Sequence, residues 1–306
     1  MDLPITSSAP QAISPSSNPF PLCVENLSWT FGVRPILHEL SFHIKAGARV
    51  GLLGENGSGK STLMKCLLGL QPFESGQVTV FGKNLDQIDD EIRARLAYVP
   101  QSPSLFPWMT VEQHLRVIGQ AYPNWTEKRA IELALALELS LGKLVSKLSG
   151  GDQQKLAIVL ALAHQPDLIL MDEPVANLDP VRRSKLMRQL FIDHTWIAQD
   201  ATVIFTSHLL GDLEDVLSQV IFLHQGRLQL CADWPAFKQQ HRLVSNQLLD
   251  TILGSSTQHG NDQAIVHRGA DQSLVQFAAF SEVLEKISDS GLVPLNLDTL
   301  FHVLQQ

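Results

Sequence analysis

Near the start of the chain, apolar and polar positions alternate in short blocks, a pattern typical of half-buried β-strands. Residues 22–27 and the alternating apolar positions of 40–44 predict two strands, followed by a turn at 46–47. The apolar stretch RVGLLG at 49–54 predicts a third strand that runs into a glycine-rich loop, and STLMKCLLGL at 61–70 has a helical pattern. The chain therefore begins with a strand, a glycine-rich loop and a helix in that order.

The pattern becomes helical after about residue 102, as in EKRAIELALALEL, and we interpret residues 102–164 as a helical insertion. Beyond it, DLILMDEP at 167–174 and ATVIFTSH at 201–208 each predict a buried strand that ends in polar residues. The helical stretch RRSKLMRQLF separates these two strands. Strands that alternate with helices indicate a parallel sheet with crossover helices.

The last part of the chain has weaker signals. Residues 232–260 are polar and helical in pattern, with few landmarks. The stretches AIVHRG, SLVQFAAF, SEVLEKI, LVPLN and LDTLFHVL then predict a small strand-strand-helix-strand-helix unit. We expect residues 1–20 to be a disordered tail, because they are rich in Pro and Ser and have no apolar centre, and residues 239–306 to form a C-terminal appendage.

Composition excludes several classes of function. The 306 residues carry a net charge of −8 and no basic run, which argues against a nucleic-acid partner and against a polybasic grip on lipid. The longest apolar run, 156–163, is far shorter than the roughly 18 residues that span a bilayer, so we expect no direct membrane insertion. The three cysteines lack metal-site spacing and read as thiols of a reducing compartment.

The loop GENGSGKS at 54–61 predicts a phosphate site. Its glycines let the backbone bend until several N–H groups point at one anion, and the following helix adds the positive end of its dipole. Lys60 would reach the β and γ phosphates, and the Ser61 hydroxyl would bind magnesium. A glycine turn that merely caps a helix is the structural alternative. Taken alone, the loop indicates a nucleoside triphosphate or another phosphorylated ligand.

Two acids follow the apolar strand at 168–171. An acid at the position of Asp172 holds a metal ion, commonly through water, and a second acid, Glu173, polarises an attacking water. A charged strand end is the structural alternative. The pair favours hydrolysis over phosphoryl transfer, because a base is positioned for water.

Two further polar residues stand at strand or loop boundaries. His208 closes the strand of TSHLL, at the edge where ligands of open parallel sheets bind. Considered alone, it fits a helix start or a core histidine better. Gln101 in YVPQ has a similar status, because most glutamines at a loop start are solvated.

A second glycine pair occurs in LSGGDQQK at 148–155. Ser149 followed by Asp152 matches a capping-box pattern, so a well-capped helix is one interpretation. Yet glycine in a helix costs about 1 kcal/mol relative to alanine, and Gly150 and Gly151 together are expensive unless something must approach the backbone. An anion is the natural candidate.

The order of these motifs resembles the ATP-binding cassette (ABC) ATPases, over about residues 21–238. The matching motifs are, in chain order, GENGSGKS for the Walker A loop, YVPQ for the Q-loop, LSGGD for the signature, LILMDEP for Walker B, ANLDP for the D-loop with Asp179, and TSH for the switch histidine His208. Short stretches such as AYPNW and NLDTLF also resemble single-cassette ATPases that serve bacterial export-type permeases.

The resemblance implies a fold and two bound groups, ATP and Mg²⁺. The fold is α/β: a P-loop NTPase with a mixed, largely parallel core sheet, an antiparallel N-terminal β subdomain, the helical insertion and a small C-terminal α+β appendage. Phe31 of TFG would stack on adenine. The implied Mg²⁺ ligands are Ser61, Gln101 and Asp172, and the implied nucleotide-binding loop consists of Gly54, Glu55, Asn56, Gly57, Ser58, Gly59, Lys60, Ser61 and Thr62.

The resemblance also implies roles in hydrolysis and assembly. Glu173 would activate water, His208 would steady the γ-phosphate, and Gln101 would link the metal site to the helical insertion. Two cassettes, identical or different, would pack head to tail. The residues that would complete the ATP site of the second cassette are Ser149, Gly150, Gly151 and Asp179.

A separate membrane permease would bind the helical insertion around 102–109, which would hold the chain on the cytoplasmic, inner face of the membrane. The signature departs from the family pattern at Asp152, where glutamine is usual. We expect this charge to weaken ATP contact while still closing the capping box with Ser149. Two alternatives to transport are a soluble ABC protein acting on ribosomes or DNA, and a nucleotide-sensing regulator or scaffold.

Overall fold

The structure is a computed structural model that describes residues 20–176, 178–192, 196–206, 211–247, 265–269, 271–276, 292–293 and 295–305. The expected N-terminal tail therefore lies outside the described residues, apart from Phe20. His208 and the predicted helix SEVLEKI also lie outside them.

The described part of the chain contains fourteen strands. They are β1 (Leu22–Phe31), β2 (Arg34–Ile44), β3 (Arg49–Leu53), β4 (Ser75–Val80), β5 (Lys83–Asn84), β6 (Leu96–Val99), β7 (Leu168–Met171), β8 (Thr202–Phe205), β9 (Gln219–His224), β10 (Arg227–Asp233), β11 (His241–Ser245), β12 (Ile265–Arg268), β13 (Gln272–Gln276) and β14 (Leu292–Val293).

Helices connect these strands and cover the sheets. They are α1 (Lys60–Leu67), α2 (Asp90–Arg93), α3 (Val111–Gly119), α4 (Glu127–Ala136), α5 (Gly150–Leu162), α6 (Pro180–Phe191), α7 (Trp234–Gln240) and α8 (Leu297–Leu304). A short 3₁₀ helix, Gly211–Val216, precedes β9.

The central sheet has the strand order β10-β9-β3-β8-β7-β6 in the described part of the chain. Neighbours from β9 through β6 are parallel, and β10 is antiparallel to β9. Both faces of this sheet are covered, since in β7 Leu168 and Leu170 enter one apolar cluster while Ile169 and Met171 enter the other. A strand buried on both sides reads as a continuous apolar run, as LILM does.

The N-terminal sheet covers one face of the central sheet. It has the order β2-β1-β4-β5, with antiparallel pairs throughout. Its apolar residues, such as Leu22 and Leu40, share a core cluster with α1 and with alternate residues of the central strands. The other face is covered by the helical segment, in which α3, α4 and α5 contact one another. The predicted α/β fold with a mixed, largely parallel sheet is confirmed.

The C-terminal region contains one error of sequence interpretation. Residues 241–245, expected within a helical stretch, form β11, the centre of an antiparallel sheet with the order β12-β13-β11-β14. Leu243 and Val244 are buried there, with cross-strand partners on both sides. Long-range pairing thus outweighs the local pattern. In the described residues, no helix is both long enough and apolar enough to cross a membrane.

Candidate functional site

Four segments of the candidate site meet at one edge of the central sheet. The parallel strands β3, β6, β7 and β8 are followed respectively by Gly54, Pro100, Asp172 and Thr206. Because parallel neighbours end at the same edge, the sheet gathers residues that are more than a hundred positions apart in sequence.

The glycine-rich loop leaves β3 through backbone conformations that side chains disfavour. Gly54, Gly57 and Gly59 have φ angles of 150°, 82° and 103°. A Cβ built on Gly54 would lie 2.2 Å from the carbonyl oxygen of Leu223, so glycine is required there for space as well as for conformation. Helix α1 begins directly after this loop, at Lys60.

Lys60 is the buried cation of the site. Its Nζ donates hydrogen bonds of 2.8 Å to the carbonyl oxygens of Gly54 and Glu55, which folds the side chain back over its own loop. Burial lowers the pKa of the Lys60 ammonium, and the carboxylates of Glu173, Asp172 and Glu55 oppose that shift. The ammonium is thus held at the mouth of the loop, facing acidic groups.

Asp172 and Glu173 are both buried at the end of β7. The Thr206 hydroxyl donates to Asp172 Oδ1 at 2.9 Å and accepts from the Glu173 backbone N–H at 2.8 Å. Glu173 has a φ of 49°, in the left-handed region that non-glycine residues seldom adopt. Sequence reasoning missed Thr206, whose only signal was its position one residue after β8.

These groups surround a cleft of about 390 Å³. Of the residues predicted for the site, those that line the cleft are Asn56, Gly57, Gly59, Lys60, Ser61, Thr62, Gln101, Asp172 and Glu173. Arg34 and Ile36 of β2 also line it and were not predicted. The remaining members of the loop do not line the cleft: Gly54 and Ser58 are buried, whereas Glu55 is exposed.

Phe31 does not line the cleft, but it lies close to it in the fold. It ends β1 and pairs across the hairpin with Arg34, which does line the cleft. Its ring is 71% exposed and lies 6.0 Å from the ring of Trp29. A ring this exposed, paired with a residue that lines the cleft, is accessible for contact with a bound molecule.

The signature segment is not brought to this cleft. Ser149 is the N-cap of α5, and its Oγ accepts from the Asp152 N–H at 3.1 Å. Gly150 is exposed, and a Cβ built there would meet no described atom within 4 Å. Packing within the described chain therefore does not require glycine at this position.

The expected capping box with Asp152 is only half formed. The Asp152 carboxylate pairs with Lys155 Nζ at 3.4 Å instead of returning to the Ser149 backbone. Lys155 is buried, so this pair also compensates a charge that would otherwise be costly. Aspartate is one methylene shorter than glutamine, and its reach favours the neighbour one turn along the helix.

Asp179 also lies away from the cleft, as the exposed N-cap of α6. Its carboxylate accepts from the Arg182 N–H at 3.1 Å and forms an ion pair with the Arg182 side chain at 3.3 Å. His208, which follows two residues after Thr206, lies outside the described residues, so its position in the site stays a prediction.

A strand that enters a glycine-rich loop with a buried lysine, beside an acidic pair at the end of a parallel neighbour, defines a P-loop nucleotide-hydrolase site. Comparison of the sequence and the fold with known proteins identifies the family within this class. Residues 37–176 match the family model described as "ABC transporter".

Similar proteins include ATP-binding components of several transport systems. The chain is 32% identical to the linearmycin resistance ATP-binding protein LnrL of Bacillus subtilis (strain 168), over 68% of this chain and 67% of the relative. It is also 32% identical to the aliphatic sulfonates import ATP-binding protein SsuB 3 of Pseudomonas syringae pv. tomato (strain ATCC BAA-871 / DC3000), over 76% and 86% of the two chains. The chain spans 65–66% of the length of some other relatives that it matches.

Solved structures agree with this result. The dimeric post-hydrolysis state of the ATP-binding cassette MJ0796 bound to ADP and Pi has a TM-score of 0.62 at 26% identity, over 70% of this chain and 98% of that one. The chain therefore belongs to the ABC transporter family, as an ATP-binding, ATP-hydrolysing cassette.

Proposed function

We propose that this protein binds and hydrolyses ATP to power transport through a separate membrane permease. The observation that carries the proposal is the cleft at the sheet edge, where Lys60 and the Asp172–Glu173 pair face one another. Among the similar proteins, one ATP-binding protein is named for export and another for import, so their names support transport without favouring one direction.

The residues of the cleft fit a nucleotide with a divalent cation. The positive φ angles of Gly54, Gly57 and Gly59 shape a loop in which backbone N–H groups can converge on phosphate oxygens. Ser61, Gln101 and Asp172 offer a hydroxyl, an amide and a carboxylate oxygen, which is the donor set that Mg²⁺ prefers. Mg²⁺ held there would neutralise charge on the phosphate oxygens.

Each remaining residue has a proposed task. Lys60 would exchange its bonds to Gly54 and Glu55 for contacts with the β and γ phosphates. Glu173 would accept a proton from the attacking water, and Gln101 would orient that water and the cation. His208 would contact the γ-phosphate, and the exposed ring of Phe31 would stack on adenine.

We propose that a second cassette completes each site. Ser149, Gly150, Gly151 and Asp179 do not line the cleft of their own chain, and both segments are exposed at helix N-termini. A helix N-terminus that begins with an open glycine, Gly150, suits the phosphates of a nucleotide held by another copy. A solved structure of a similar cassette is described as dimeric.

The proposed permease contact lies on the helical insertion. Phe106 and Trp108 are 40% and 68% exposed, and their rings lie 5.4 Å apart. Adjacent exposed aromatics suit an apolar protein partner. Such a partner would hold the chain at the inner face of the membrane. We divide the chain accordingly. Residues 21–238 would form the nucleotide-binding domain, with the helical insertion at about 102–164, and residues 239–306 would form the C-terminal appendage.

A glutamine substitution at Glu173 tests the proposal. In Glu173→Gln we expect ATP hydrolysis to fall about 100-fold or more, since removing a positioned general base typically costs that much. ATP binding should persist, and the ATP-bound dimer should last longer in light-scattering measurements. Glu91→Gln, on an exposed face of α2, is the control for charge loss. Undiminished turnover in Glu173→Gln would refute the proposed mechanism, and intact ATP binding without turnover in the wild type would favour a regulator.

A further inference from the structure

We propose that Thr206 is a positioning residue that sets the geometry of both acids of the hydrolytic site. The inference rests on the proposed function, because it assigns a task in the same reaction. It begins from two hydrogen bonds made by one fully buried hydroxyl.

The Thr206 hydroxyl donates one hydrogen bond and accepts another, and its two partners belong to two different acidic residues. Its proton goes to Asp172 Oδ1, which restrains the orientation of that carboxylate. The same oxygen accepts the N–H of Glu173. Thr206 thus acts on Asp172 through the side chain and on Glu173 through the backbone.

The bond to the Glu173 N–H has a particular consequence for the backbone. Glu173 adopts a φ of 49°, which a residue with a side chain maintains only when its surroundings hold it there. Its N–H bonds to Thr206, and its carbonyl accepts from Ala176 at 3.2 Å. These bonds fix the direction in which the Glu173 side chain leaves the backbone.

The bridge spans the two strands that carry the chemistry. The Thr206 N–H donates to the Met171 carbonyl at 3.0 Å, which extends the ladder between β7 and β8 by one residue. The hydroxyl then adds side-chain links beyond the end of this ladder.

The chain offers a matched control in the same strand. Thr202 is also buried in β8, and its Oγ1 accepts from the Gly47 N–H at 3.0 Å at the opposite edge of the sheet. Thr→Val at either position replaces one buried hydroxyl with a methyl group of similar size. Only the change at Thr206 removes contacts to the acids.

The test compares Thr206→Val, Thr206→Ser and Thr202→Val in the full chain. We expect kcat to fall about 10-fold or more in Thr206→Val with KM changed by less than about 3-fold, because misplaced catalytic groups lower rate more than binding. Thr206→Ser, which keeps the hydroxyl, and Thr202→Val should stay within about 3-fold of wild-type kcat. Thr206→Ala has the same expected result and replaces Thr206→Val if that variant does not fold.

A second measurement does not depend on turnover. Hydrogen exchange of the peptide containing Glu173 should accelerate about 10-fold in Thr206→Val, because its amide loses its partner, and should remain slow in Thr206→Ser and Thr202→Val. Wild-type turnover at the level of the no-enzyme control would count against the proposed function, while the exchange data would still decide the role of Thr206. Equal kcat and equal exchange in Thr206→Val and Thr202→Val would overturn the inference.

Discussion

At the residue scale, the carboxylate of Asp152 has two opposed effects. It adds negative charge beside the exposed start of α5, where we propose that the phosphates of a second cassette's ATP would approach. It also pairs with the largely buried ammonium of Lys155 at 3.4 Å. The pairing moderates the repulsion, since the two charges form a dipole rather than an isolated anion.

Asp152→Gln separates these effects. We expect ATP-driven dimerisation to tighten about 3- to 10-fold, because removing a charge near a polyphosphate is worth on the order of 1 kcal/mol. Stability should fall by about 1 kcal/mol, since Lys155 loses its partner. Light scattering and thermal unfolding measure the two outcomes. Asp90→Asn, whose carboxylate makes the same i,i+3 pair on an exposed helix, is the control. An unchanged or weaker dimer in Asp152→Gln would contradict the account.

At the element scale, α5 is tied to the central sheet through Gln154. This side chain is fully buried, and its Nε2 donates to the carbonyl oxygen of Pro100 at 3.0 Å. Pro100 immediately precedes Gln101, which lines the cleft. One hydrogen bond therefore joins the helix that carries the signature to the segment that enters the helical insertion.

Gln154→Glu tests how tightly α5 packs against the segment that contains Pro100. A carboxylate there would be buried against a carbonyl oxygen, so we expect unfolding free energy to fall by about 3 kcal/mol at neutral pH. Burial would raise the folded-state pKa of the new carboxyl above its unfolded value, so the loss should disappear as pH falls toward about 4. Gln153→Glu, on the partly exposed neighbouring face, should cost less than about 1 kcal/mol. Equal losses in both variants, measured by chemical denaturation across pH, would show that α5 is loosely seated.

At the scale of the whole molecule, the sequence predicts which residues lie at the ends of strands. It does not predict which side chains on neighbouring strands contact one another. The glycine loop, Asp172 and Glu173 follow apolar runs, so their meeting at one edge follows from parallel pairing alone. The role of Thr206 depends on the register between β7 and β8, which no local pattern specifies. For the same reason HRLVS at 241–245 reads as part of a helix, although distant partners make it a strand.

The described part of the C-terminal region shares an apolar core with the central sheet. Leu297 and Leu300 of α8 belong to the apolar cluster that contains Phe222 of β9. The rings of Phe222 and Phe301 lie 5.3 Å apart. The N–H of Leu297 donates to Glu214 at 3.0 Å, in the 3₁₀ helix before β9. Helix α8 is therefore joined to the central sheet by a common apolar core rather than by a linker alone.

Leu300→Ala tests this common core. Because Leu300 is fully buried, we expect the free energy of unfolding to fall by about 2–5 kcal/mol and the melting temperature to fall by several degrees. If the core is shared, calorimetry should show one unfolding transition that shifts as a whole. Leu135→Ala, a 57% exposed leucine on α4, should shift it by less than about 1 °C. A new low-temperature transition in Leu300→Ala, with the main one unchanged, would show instead that the appendage unfolds independently, and ATP hydrolysis would then survive its unfolding.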